Sequence, residues 1–170
     1  LETARGGMVR SGLGFESCDV GICTNVAADH LGLKDINTLE DLASVKSTVP
    51  RSVRRDGYAI LNADDELVMA MRKQCDCKIA LFSLDENNRL IRQHCKLGGL
   101  AAVYENGFIT ISKGEWKLRI EKAVNVPLTL GGKAVFNIQN ILPAVLAAYV
   151  QGVKMEELKE NPVKPFWYEE

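Results

Sequence analysis

The feature that most constrains this chain is an alternation of two kinds of text along its first half. Short apolar runs ("DVGICTNV", "YAILN", "KIALFSL") are separated by stretches whose apolar residues return every three or four positions. A run apolar on nearly every residue suits a strand covered on both faces, and the intervening period suits a helix. Strands and helices in that order point to an α/β fold with a mostly parallel sheet.

The first strand is expected at Val20–Val26. The helix after it can be capped by Asn37 or Thr38. It carries Glu40 and Asp41 in its first turn and sets Leu39, Leu42, Val45 and Val49 at helical spacing. Pro50 ends or bends it. A turn at Asp56-Gly57, a strand Tyr58–Leu61 and a helix from about Asp64 come next, then a strand in "KIALFSL" and a weaker helix in "ENNRLIRQHC".

Past Gly98-Gly99 the rhythm changes. "LAAVYENGFITISKGEWKLRIEKA" reads as two or three antiparallel strands, with turns at Glu105-Asn106-Gly107 and Lys113-Gly114. "AVFNIQNILPAVLAAYVQGV" is a strongly apolar helix, with Pro143 either in its first turn or at a kink, and "KMEELKEN" is a short closing helix. The expected class is thus α/β in three layers, a mostly parallel sheet with an added antiparallel β segment.

Composition narrows the function. With 21 basic and 22 acidic residues the charges nearly cancel, which argues against a nucleic-acid partner. No apolar run approaches the roughly 18 residues of a membrane span, so no membrane partner is expected. Five cysteines, an odd number without framework spacing, favour reduced thiols in a cytoplasm over a disulfide scaffold. The opening "LETARGG" has no initiator Met and the close "NPVKPFWYEE" resembles a linker, so the chain reads as part of something larger. Residues 1–152 would be one incomplete domain, and 153–170 a closing helix and linker.

Several residues invite a chemical reading beside a structural one. Glu2, followed by Arg5-Gly6-Gly7, can serve as a metal ligand next to a close backbone approach, or be a surface acid before a flexible turn. His30, beside Asp29, falls just past a strand, where ligands of open α/β sheets bind. An imidazole there can ligate a metal, with the carboxylate fixing its tautomer, or the pair can be a cap and an exposed histidine. Lys46, between Val45 and Ser47, can act at the site or lie along the helix surface.

"LNADD" sets Asn62, Asp64 and Asp65 at a strand-to-helix junction, as helix caps or beside a nucleotide. Asn137 and Asn140, three apart in "FNIQN", share a helix face and offer paired donors and acceptors suited to a purine edge; capping and exposure is the other reading. Cys75, Cys77, His94 and Cys95 have poor zinc spacing and read as soft thiols. The text holds no GxxxxGK[ST] phosphate loop, so a nucleotide enzyme built on these elements is expected to carry one upstream of Leu1.

In this order, "LETARGGMVRSGLGF", "DVGICTNVAADHLG", "SVKS", "YAILNADD" and "KAVFNIQNILPAVLAA" resemble the Mur-ligase-like family of ATP-dependent amide ligases, over residues 1 to about 152. "ETARGG" and "NVAADHLG" resemble its cyanophycin synthetase branch. The resemblance implies ATP and Mg2+, an acyl phosphate, and arginine joined to the β-carboxylate of aspartate on a poly-aspartate acceptor.

It implies Glu2 and His30 as magnesium ligands. His30 would stand near the acyl phosphate, and Lys46 would stand at a lysine that several Mur ligases carbamylate. Asn137 and Asn140 would approach adenine, with Phe136 where the family often has His, and Asn62 would stand on the nucleotide side. Arg5 is a candidate for the acceptor carboxylate. The chain alone would be inactive, and a bare sheet edge would favour a homo-oligomer. The alternatives are a degenerate nucleotide-binding or structural module, and a ligase of cell-wall precursors.

Overall fold

The computed structural model describes residues 3, 5–28, 32, 36–154, 156 and 157. The closing helix expected at 154–161 lies largely outside them, and so do Glu2, Asp29 and His30. The described residues hold six strands. The chain divides into two compact units, residues 1–80 and 81–170.

In the first unit, β1 (Cys18–Cys23) and β2 (Val53–Asn62) pair in parallel, from Val20 opposite Tyr58 to Cys23 opposite Leu61. The helix joining them is α2 (Leu39–Arg51). Thr38 and Asp41 start it with a reciprocal capping box: the Asp41 N–H donates to Thr38 Oγ1 and the Thr38 N–H to Asp41 Oδ2, both at 3.0 Å. The Thr38 side chain first, then the Thr38 and Asn37 N–H groups, hold the exposed Asp41 carboxyl below its ordinary pKa. Pro50 sits in the last turn, and the Ser52 N–H closes the helix on Thr48 O and Val49 O.

Leu42, 2% exposed, is buried from α2 toward the core, a burial worth about 2 kcal/mol. The helix lies close on β1 because Gly21 has no side chain. A Cβ there would stand 3.0 Å from Val49 O and 2.7 Å from Val53 Cγ2.

Two local expectations are corrected. The turn expected at Asp56-Gly57 is inside β2, where the register skips between the Cys18–Val53 and Val20–Tyr58 pairs. Gly57 is required by proximity, since a Cβ on it would meet Asp19 O at 2.3 Å. Arg5-Gly6-Gly7 begins a helix, α1 (Arg5–Ser11), instead of forming a flexible turn. Arg10 Nε donates to Gly6 O, and Met8 meets Thr48 of α2. After β2 come α3 (Glu66–Met71), capped by Asp65, and a 3-10 turn at Arg72–Gln74. The unit boundary falls within β3 (Lys78–Ser83).

In the second unit, Asn88 caps α4 (Arg89–Lys96), and β4 (Leu100–Glu105), β5 (Phe108–Lys113) and β6 (Trp116–Lys122) form an antiparallel meander. The β4–β5 turn places Asn106 and Gly107 at φ 50° and 82°, the left-handed pair that two-residue hairpins favour. Two 3-10 turns, Ala123–Asn125 and Pro127–Thr129, lead to α5 (Val135–Val150). Pro143 is interior to α5 and buried. No helix of the described residues is long and apolar enough to cross a membrane.

Candidate functional site

Where β1 ends at Cys23, the backbone leaves the sheet through Thr24, Asn25 and Val26, and all three are gripped by side chains distant in sequence. Asn62 Nδ2 donates to Thr24 O at 2.7 Å. Lys46 Nζ donates to Asn25 O at 2.8 Å. The Val26 N–H donates to Asp65 Oδ2 at 2.7 Å. Each holder sits where its element puts it: Lys46 on α2, Asn62 at the end of β2, Asp65 at the cap of α3.

Asn62 is 2% exposed, and both ends of its amide are used, since its Oδ1 accepts from the Asp64 N–H at 2.9 Å. Any effect it has on a ligand therefore passes through the backbone it shapes. Lys46 is half-buried, and the bond to Asn25 uses one of the three N–H donors of an ammonium. The nearby Cys23 thiol is pushed up to about 11, by burial first, with Lys46 lowering it and Asp65 raising it. The cation and the carboxylate thus both act electrostatically on the end of β1.

Asp65 is the residue that sequence reasoning under-read. Its Oδ1 accepts from the Leu67 and Val68 N–H groups at 3.0 Å each, the capping role its position suggests, while Oδ2 reaches Val26. The available signal was the doublet Asp64-Asp65 at a strand-to-helix junction, where one acid is enough for a cap.

In the second unit, Asn137 and Asn140 occupy the first two turns of α5. Asn137 is half-buried and its Nδ2 donates to Leu128 O at 2.6 Å, tying the helix start to the preceding 3-10 turn. That turn is itself pinned by Thr129 Oγ1, which donates within reach of Ala123 O and Val126 O and accepts from the Gly132 N–H. Asn140 is exposed, and Phe136, 66% exposed, stands at the same helix start.

Of the remaining candidates, Glu2 and His30 lie outside the described residues, and of Arg5 only the backbone, in α1, is described. Among the described residues no group of three or more His, Cys, Asp or Glu is placed to hold a metal ion. His94 Nε2 lies 3.2 Å from Leu100 O, and its ring packs where a Cβ on Gly99 would be.

The comparisons with known proteins agree on one family. The model of the Mur ligase middle domain matches residues 1–148. The cyanophycin synthetase of Crocosphaera subtropica is 58% identical over 95% of this chain, and that of a Synechocystis species 51% over the same share. The UDP-N-acetylmuramate–L-alanine ligase of Acetivibrio thermocellus is 27% identical over 84% of the chain. The chain spans 18% of the length of those cyanophycin synthetases and 28% of that muramate ligase. With the family model covering nearly its whole length, the chain belongs to the Mur ligase middle-domain family.

Proposed function

We propose that this chain is the central part of an ATP-dependent amide ligase of the cyanophycin synthetase kind, joining arginine to the β-carboxylate of aspartate in a poly-aspartate acceptor. The supporting structural observation is the grip of Asn62, Lys46 and Asp65 on three consecutive residues past the end of β1. Ligands of open α/β sheets bind outside the carboxyl ends of strands, and a backbone fixed there can present side chains without rearranging. Five cyanophycin synthetases between 51% and 58% identical favour that branch over the muramate ligases.

In this reading ATP phosphorylates the aspartate β-carboxylate, the arginine amine attacks the acyl phosphate, and phosphate leaves as the amide forms. Lys46 keeps the loop after β1 in place beside the anionic reactants, and Arg5 meets the acceptor carboxylate. Glu2 is a carboxylate, a donor of the kind that holds Mg2+ beside nucleotide phosphates, and His30 joins it on the strength of the family resemblance. A bound divalent cation would supply neutralisation of charge on the transferring phosphoryl group.

Asn140 and the exposed Phe136 offer a carboxamide and a ring face to adenine, with Asn137 fixing the helix start between them. Asn62 acts on the nucleotide side through Thr24. The full protein acts as a homo-oligomer in a cytoplasm, and the 170-residue chain alone turns over no substrate.

Trapping tests the intermediate. The full natural protein with ATP, poly-aspartate and hydroxylamine, without arginine, should give an aspartyl hydroxamate. ATP binding with no hydroxamate, and no arginine-dependent product, would support a nucleotide-binding module instead.

A further inference from the structure

Asp65 does two jobs with one carboxylate. Oδ1 caps α3 through the Leu67 and Val68 N–H groups, and Oδ2 accepts the Val26 N–H at 2.7 Å across 39 residues of sequence. Val26 is buried, 8% exposed, so its amide has little access to solvent as an alternative partner. A donor left without a partner at such a site destabilises the fold, which makes this contact more than a decoration of the cap. Asp29 and His30 follow Val26 by three and four residues.

We propose that Asp65 is a positioning residue of the ligase, setting the start of the segment that carries Asp29 and His30. This rests on the functional reading above. Because the same carboxylate begins α3, the helix and the segment share one anchor. Oδ2 sits beyond the cap, so the capping role alone does not account for it.

The two jobs can be separated. In Asp65→Ser the hydroxyl still caps the helix, because serine is about as good an N-cap as aspartate, but it has no second oxygen for Val26. In Asp65→Asn one oxygen still caps, while the other position becomes an N–H donor facing the Val26 N–H.

Hydrogen exchange followed by mass spectrometry on the full natural protein should show the peptide around 24–28 exchanging about tenfold faster in both variants, the loss of one hydrogen bond. The peptide around 66–71 should be unchanged. In the same proteins kcat should fall at least about tenfold with the KM for arginine within twofold, as expected when only alignment in the transition state is lost.

Equal loss of protection at both peptides in both variants would reduce Asp65 to a cap and overturn the proposal. So would unchanged kcat after selective loss at 24–28, or unchanged protection there. If the unaltered protein forms no amide, the functional reading fails. The exchange data still judge the anchor separately.

Discussion

Lys46 Nζ donates to the backbone carbonyl of Asn25 at 2.8 Å, bridging α2 and the residue second past β1 across 21 positions of sequence. Replacing Lys46 by Met keeps the aliphatic stem and deletes the donor. The expected stability loss is about 1 kcal/mol, the scale of one hydrogen bond at a partly exposed site. Activity of the full natural protein should fall more than about tenfold, because a loop displaced by a fraction of an ångström misaligns the reactants. Urea unfolding and steady-state kinetics on the same preparations measure both. A variant fully active at unchanged stability would remove Lys46 from the account.

Gly57 has no room for a side chain. Gly57→Ala drives a Cβ against Asp19 O, a backbone atom of the neighbouring strand, so β1 or β2 must shift. We expect a loss of about 2–3 kcal/mol, the upper part of the range for overpacking a core. Gly21→Ala, whose nearest contact is the Val53 methyl at 2.7 Å, should cost less. Denaturant midpoints of the two variants give the order directly.

Thr110 is a candidate for stabilisation. It is fully buried on β5, and its Oγ1 has no hydrogen-bond partner among the described residues. Thr110→Val keeps the shape and removes the unmatched hydroxyl, so unfolding should become harder by about 1 kcal/mol. A lower midpoint would reveal a partner for the hydroxyl.

The start of α2 carries a pH dependence. The Asp41 carboxyl is held below its ordinary pKa of 3.8, mainly by Thr38, so its folded form favours ionisation. The stability this adds is fully present above pH 3.8 and is lost as pH falls through the lower folded value. The stability gap between the unaltered protein and Asp41→Asn should therefore shrink as the buffer is acidified below that point. A gap constant down to the acid transition would contradict it.

Two thiols should be slow to react. Burial pushes both Cys23 and Cys75 up to about 11. At pH 8 their thiolate fraction is about a hundredfold below that of an ordinary cysteine, and alkylation follows the thiolate. Iodoacetamide labelling read by peptide mass should leave both largely unmodified under native conditions. Rapid labelling of Cys23 would mean that the end of β1 opens readily.

Much of this architecture was legible because its causes are local. Thr38 and Asp41 lie three apart, and the period of Leu42, Val45 and Val49 lies within one helix, so both can be read from neighbouring letters. Gly57 was misread because Asp-Gly usually marks a turn. Its actual reason is Asp19 O on another strand, which sequence order does not display. Of the two readings open for Arg5-Gly6-Gly7, the flexible turn is not what forms: these residues begin α1, which meets α2 through Met8 and Thr48, a contact far apart in sequence. For the candidate site, residue types could be picked out singly. The bonds of Lys46 to Asn25 and Asp65 to Val26 span 21 and 39 residues, and nothing local encodes them.

The central claim is amide ligation, and one assay measures it most directly. The full natural protein is incubated with ATP, Mg2+, poly-aspartate and arginine, and released phosphate is compared with arginine found on the polymer by mass spectrometry. The account predicts phosphate release that depends on arginine, with one arginine joined to an aspartate side chain for each phosphate. Phosphate release indifferent to arginine, or a polymer of unchanged mass, would contradict it.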